Sequence, residues 1–250
     1  MTRHVVRATI DDAVPWVYSR EQADAIIAGY PAHERDARAK GIPILGSGRV
    51  FPISDDDITI EAFPIPRHWK RIGGLDFGWD HPTAATKLVH DADEDVIYVT
   101  SEYKVREQTP LIHAGALRHW DGRVSLPWAW PHDGLQHDKG SGEQLAEKYR
   151  EHGLEMLDER ATFEDGSNGV EAGVTDMLER MQTGRWKVFK HLSAWLDEFR
   201  LYHRKNGVIV KEFDDLISSS RYALMMLRHA KPDIPPPSLR RRHSGSWMSA

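Results

Sequence analysis

Between Arg71 and Val105 the chain presents strand-length runs in quick succession, and this constrains its fold more than any other feature. "RIGGLDFG" is a short apolar run that delivers Asp76 and then breaks into Gly78, a Trp-Asp-His stretch and Pro82. "TAATKLVHD" and "DVIYVTSEYKV" follow, rich in β-branched and aromatic residues and joined by the acidic turn "HDADED". The first reads as a buried strand and the other two as a hairpin. Beyond Val105 the period changes. "TPLIHAGALRHW" reads as a helix capped by Thr109, and "SLPWAWPHDG" as a strand. "SGEQLAEKYREHG" reads as a helix between a Ser141 cap and a Gly153 stop, and "LEMLDE" as another strand. "NGVEAGVTDMLERMQTG", "LSAWLDEFRLYHRKNG" and "EFDDLISSSRYALMMLRHA" read as helices. Antiparallel strands first, then strand–helix alternation, predict an α/β fold: a mixed central sheet flanked by helices.

Residues 1–67 read as an arm. "SREQADAIIAGYPAHERDARAKG" suggests two short helices, the first capped by Ser19 with Gln22 three residues on, before a Gly/Pro-punctuated loop and a Pro-rich joint. Residues 68–230 form the main domain, and residues 231–250 a flexible tail, Pro-rich and then basic. A length of 250 residues suits one domain with appendages. The absence of cysteine excludes a disulfide framework, a thiolate zinc site and a Cys nucleophile. With a net charge of −5, a nucleic-acid surface has to be a local basic patch. No apolar stretch approaches a membrane span, and the N-terminus carries no signal-peptide core.

Chemistry is expected from carboxylates at element ends. Asp76 closes the first core strand, and Asp133 closes "WAWPHDG". Asp214 and Asp215 open the last helix, whose apolar face is read as Phe213, Leu216, Ile217, Leu224 and Leu227. Such ends can converge at one sheet edge. Carboxylates gathered there without Lys or Arg partners repel one another, a cost that Mg²⁺ or Mn²⁺ offsets through oxygen ligands. Two such ions roughly 4 Å apart activate water and stabilise the leaving oxygen in phosphodiester cleavage. Taken singly, each Asp reads more readily as a turn or cap residue than as a ligand. The "HDADED" turn lacks the Gly and distal Glu of an EF-hand loop and reads as a solvated hairpin tip.

"ERDARAKGIPILGSGRVFPI", "IGGLDFGWDHPTA", "WPHDGLQHDKGSG" and "DDLISSSRYAL", in this order, resemble the C-terminal half of the large terminase subunit of tailed bacteriophages, from about residue 5 to 230. The resemblance implies an RNase H-like (RuvC-like) fold and a two-metal-ion endodeoxyribonuclease that cuts concatemeric viral DNA during genome packaging. It makes Asp76 the first acidic motif, Asp133 the second and the Asp214–Asp215 pair the third, with Asp215 preferred as the direct ligand and Asp214 as its assistant or alternative. The implied cofactors are two Mg²⁺ or Mn²⁺ ions. The implied partners are double-stranded DNA and, in the intact motor, portal protein and the small terminase subunit, in the bacterial host cytoplasm and without a membrane. After the second motif, Lys139 is expected to meet a DNA phosphate and His137 to orient water or phosphate; the alternative is a polar surface loop. Arg204 and Lys205, with Arg200 and His203, read as a basic helix end that tracks the DNA backbone or is simply solvated.

Two departures stand out. Where the family often has DDxxDAxRYA, Ser218 and Ser219 replace the later Asp-Ala. No GxxxxGK(S/T) phosphate loop occurs, so the chain is expected to be the nuclease half without the ATPase. The alternatives are a catalytically decayed packaging-motor or DNA-binding module and a RuvC-like resolvase.

Overall fold

The computed structural model describes residues 9–30, 35, 39, 48–135 and 144–235. Helix α1 (Arg20–Ala28) carries the expected capping box, with Ser19 accepting from the Gln22 amide. A short helix α2 (Asp55–Ile58) leads into β1 (Thr59–Ile60). The strands read from sequence follow as β2 (Lys70–Asp76), β3 (Thr83–Asp91) and β4 (Val96–Val105). Then come α3 (Pro110–Leu117), β5 (Pro127–Ala129), α4 (Leu145–Glu151) and β6 (Glu155–Met156). The chain continues through α5 (Val170–Gln182), β7 (Trp186–Phe189), α6 (Ser193–Leu201), β8 (Arg204–Lys205), β9 (Val208–Ile209), α7 (Asp215–Met225) and β10 (Lys231–Pro232).

The main sheet runs β1-β7-β4-β3-β2-β5-β6, with β10 also paired to β2. β2, β3 and β4 are antiparallel, whereas β5 and β6 on one side and β7 and β1 on the other add in parallel. This is the mixed sheet expected from the sequence. It takes in residues on both sides of the 68–230 span: β1 extends it at one edge, and Phe51 and Ile58 are fully buried in the core.

Helices cover both faces. One core joins Ile72, Leu88, Ile97, Val99, Trp186 and Val188 of the sheet to Met177, Trp195, Phe199, Leu216 and Ile217 of α5, α6 and α7. The other packs Leu75, Phe77, Ala85 and Trp128 against Leu117 of α3 and Tyr149 of α4. The acidic hairpin tip between β3 and β4 is tied down rather than merely solvated. Asp95 accepts hydrogen bonds from Arg185 (2.7 Å) and Arg180 (3.1 Å) and lies 3.1 Å from His90. Burial works against its ionisation, but these partners hold its carboxyl down at about 2.

Two local expectations are corrected. The run from Arg200 to Lys205 is not a helix end, because α6 stops at Leu201 and Arg204–Lys205 form a hairpin with Val208–Ile209. The turn is Asn206–Gly207, at φ 53° and 81°, the left-handed pair that a tight hairpin demands. That Asn-Gly dipeptide was the available signal. Phe213 does not belong to the apolar face of the last helix: it precedes α7 and is exposed.

Candidate functional site

The site begins with Gly73 and Gly74. On β2 the side-chain direction alternates, so Ile72, Gly74 and Asp76 share one face and Gly73, Leu75 and Phe77 the other. A Cβ on Gly74 would stand 1.9 Å from the Ser219 carbonyl oxygen, and one on Gly73 would stand 2.5 Å from the Trp128 ring. Gly74 thus lets the backbone of α7 lie directly on β2. Thr86 on β3 continues this contact: the Ser219 and Ser220 hydroxyls lie 3.1 and 3.2 Å from its Oγ1, and Trp195 Nε1 donates to Ser220 (2.9 Å). Ser219, where the family often has Ala, is therefore a buried packing residue. Asp76, two residues beyond Gly74 on the same face, meets the start of α7.

The N-termini of α6 and α7 are fixed by glutamates from neighbouring elements. Glu102 on β4 accepts from the Ala194 and Trp195 amides at the start of α6 (3.2 and 2.7 Å). Glu198 on α6 accepts from the Leu216 and Ile217 amides at the start of α7 (2.7 and 3.2 Å). Asp214 occupies the N-cap position of α7 but makes no side-chain cap bond. With Glu198 capping the helix, Asp214 and Asp215 are free of that task. Lys104 on β4 then joins the parts, its ammonium lying against Glu198 and 3.0 Å from Asp215 Oδ2. Burial disfavours the Lys104 ammonium, but the Glu198 and Asp215 carboxylates outweigh it and raise its pKa. Burial pushes Glu198 up to about 7, against the pull of Lys104 and the Ile217 amide.

Asp76, Asp133, Asp214 and Asp215 all line one cleft of about 560 Å³. β2 and β5 are parallel, so their C-terminal ends leave the sheet at the same edge. Asp133 follows β5 in a short 3₁₀ turn (His132–Leu135), a few residues beyond the strand end assumed from sequence, and is exposed. Burial raises the Asp76 pKa well above the ordinary carboxylate range. The charges of Asp215, Asp214 and Asp133 add to this, and Arg221 opposes it. Asp214 is also raised, first by burial and then by Asp215, with Ser218, Arg221 and Lys211 pulling the other way. Ser218, standing where the family often has an Asp, donates to Asp214 Oδ2 at 3.4 Å. Among the described residues, no three His, Asp or Glu side chains stand close enough together to hold one ion as placed. The carboxylates share the cleft without closing into a finished ligand set. Their chemistry nonetheless fits a hard divalent cation, since every candidate donor is a carboxylate oxygen and the negative charge they gather calls for a positive partner.

Residues 73–227 match the family described as the terminase RNaseH-like domain. The chain belongs to this family. It is 46% identical over 231 residues to the large terminase subunit of Salmonella phage P22, covering 92% of this chain and 46% of that protein. It is equally, 46%, identical over 226 residues to the large subunit of Enterobacteria phage LP7, covering 90% and 47%. The chain thus spans about half the length of these relatives. The solved nuclease domain of the P22 large terminase is matched with a TM-score of 0.69 at 44% identity, over 75% of this chain and 96% of that domain. A large terminase from a thermophilic bacteriophage shares the fold alone (TM-score 0.56, 15% identity, 87% of this chain and 55% of that one). The terminase fold is RNase H-like, as the sequence resemblance implied.

The terminase-type cleft contains residues that sequence reasoning passed over. Lys104 and Arg221 supply the countercharges, and Glu198, behind the cleft lining, supplies the helix cap. Only Arg221 had a signal, lying within the "RYA" of the third motif. Of the expected DNA contacts, His137 and Lys139 lie outside the described residues. Arg204 pairs with both carboxylate oxygens of Glu171 (2.7 and 2.6 Å), and Lys205 is exposed on the β8–β9 hairpin. Neither lines the cleft.

Proposed function

We propose that the chain is a metal-dependent DNA endonuclease that acts in viral genome packaging, cutting concatemeric DNA as the nuclease part of a terminase large subunit. The observation that carries this reading is that Asp76, Asp133, Asp214 and Asp215 line one cleft, where burial first and then the charges of the other three oppose ionisation of Asp76. Asp76, Asp133 and Asp215 would be the metal ligands and Asp214 their assistant. Mg²⁺ or Mn²⁺, as a pair of ions, would supply activated water and charge neutralisation at the phosphodiester.

The chain's own residues orient and balance the site. Asp76 is fixed by the strand ladder, and Asp215 by the first turn of α7 and by Lys104. Arg221 moderates repulsion around Asp76 and Asp214. Lys104 and the exposed Arg106 line the cleft as cations for backbone phosphate. Residues 68–230 would be the nuclease body together with the core residues Phe51 and Ile58 and the flanking strands β1 and β10, with the rest of residues 1–67 a linker and the rest of residues 231–250 a tail. Double-stranded DNA, portal protein and the small terminase subunit would be partners in the host cytoplasm. No helix among the described residues is long and apolar enough to cross a membrane.

Supercoiled plasmid is expected to be nicked and linearised in Mg²⁺ or Mn²⁺, with little sequence preference, and to stay intact in excess EDTA. Undiminished cutting in EDTA overturns the mechanism. Intact plasmid with either ion overturns the activity.

A further inference from the structure

Phe213 is anomalous in two independent ways. Its side chain is on the surface, 56% exposed, although the next apolar residues, Leu216 and Ile217, are buried. Its backbone lies at φ 57°, the left-handed region that bulky L-residues avoid. Asp95, Glu107 and Asn206 share a positive φ; Asp and Asn tolerate it and Glu107 is unbranched at Cβ, whereas the bulky ring makes Phe213 the least suited of the four. Neither core packing nor turn chemistry accounts for a phenylalanine there, and Asn or Gly would serve the backbone at lower cost.

The position supplies a reason. Phe213 lines the same cleft as Asp214 and Asp215, which follow it directly in the chain. The exposed cations Arg106 and Lys211 line it too. An exposed aromatic beside cations that draw a phosphate backbone is the combination that binds a nucleic-acid strand through base stacking. Strained backbone held without a structural benefit is characteristic of functional positions.

We propose that Phe213 is a DNA-contact residue that stacks on a base freed from its neighbours next to the phosphate at Asp214 and Asp215. The inference rests on the nuclease reading and deepens it: the strand bound at the cleft is locally opened rather than continuous B-form, because the base faces of an intact duplex are already covered. The Phe213 contribution is therefore larger for single-stranded DNA than for duplex.

The test is fluorescence anisotropy of the full chain in Ca²⁺, with one labelled oligonucleotide used single-stranded and annealed to its complement. Phe213→Asn is expected to lose roughly tenfold in single-strand affinity and less for duplex, while melting at or above the wild-type midpoint because Asn tolerates the left-handed backbone. Phe213→Leu, apolar but unable to stack, is expected to stay weak, and Phe213→Trp to bind like wild type. Leu111→Ala, which removes an exposed apolar residue of α3 outside the cleft, is expected to change nothing. Wild-type affinity in both the Asn and Leu variants overturns the proposal, as does a lowered Phe213→Asn midpoint, which would make the ring a packing element. A wild-type chain that binds DNA but does not cut with Mg²⁺ or Mn²⁺ overturns the nuclease reading instead, and the same binding comparison still decides Phe213.

Discussion

Gly74→Ala is expected to destabilise the protein by roughly 3 kcal/mol or more, at the upper end of overpacking costs. The added methyl carbon would sit 1.9 Å from the Ser219 carbonyl oxygen, and that oxygen belongs to a helix backbone that cannot turn aside as a side chain can. The helix has to lift from β2. In doing so it opens the Ser219–Ser220–Thr86 contacts and carries Asp214 and Asp215 away from Asp76. Any folded fraction of this variant should therefore be inactive as well as unstable. Two further glycines calibrate the effect. Gly73→Ala meets the Trp128 ring at 2.5 Å, a side chain with some freedom, and should cost less. Gly115→Ala on α3 meets nothing within 4 Å and should stabilise by about 0.5–1 kcal/mol through helix propensity. Urea melts of the three variants check the order. A Gly74→Ala melt within about 0.5 kcal/mol of wild type contradicts the close approach on which the site geometry depends.

The second large effect is catalytic. Asp215→Asn should abolish metal-dependent cleavage, with a loss beyond the roughly 10–100-fold typical of changes around a metal ligand. Folding should survive, because the α7 cap comes from Glu198 and not from the Asp pair. Asp214→Asn should be milder: it keeps a polar oxygen for Ser218 and leaves the Lys104–Asp215 contact untouched. Plasmid cleavage with thermal melts alongside distinguishes the two. A dead Asp214→Asn beside an active Asp215→Asn reverses their roles, and full activity in both removes α7 from the reaction.

Much of this arrangement is legible in the sequence because it is local. A run such as "RIGGLDFG" states its own strand, and the carboxylate at its end states where the strand leaves the sheet. The order of antiparallel hairpin and later alternation is enough for a mixed sheet. What escapes the sequence depends on partners far along the chain. Lys104 joins Glu198 and Asp215 across more than 90 positions, and no spacing rule connects them. The carboxylates were expected to gather without cationic partners, yet Lys104 and Arg221 stand among them. Trp186–Phe189 is too short to announce a strand by periodicity, although it pairs with both β1 and β4 inside the sheet. Phe213 failed for a different reason: helical spacing assigned it to a buried face, and only its left-handed backbone removes it from the helix. The Asn206–Gly207 turn was visible but outweighed by the helical pattern before it.

The central claim is that Asp76, Asp133 and the Asp214–Asp215 pair are one metal site. Its most direct measurement is anomalous X-ray diffraction from crystals of the full chain soaked in Mn²⁺. Manganese is expected in the cleft with carboxylate oxygens of Asp76 and Asp215 at about 2.0–2.6 Å, the second ion bringing in Asp133 or Asp214. Manganese bound only elsewhere, or a cleft without manganese while the soaked crystals hold it at other sites, would contradict the account.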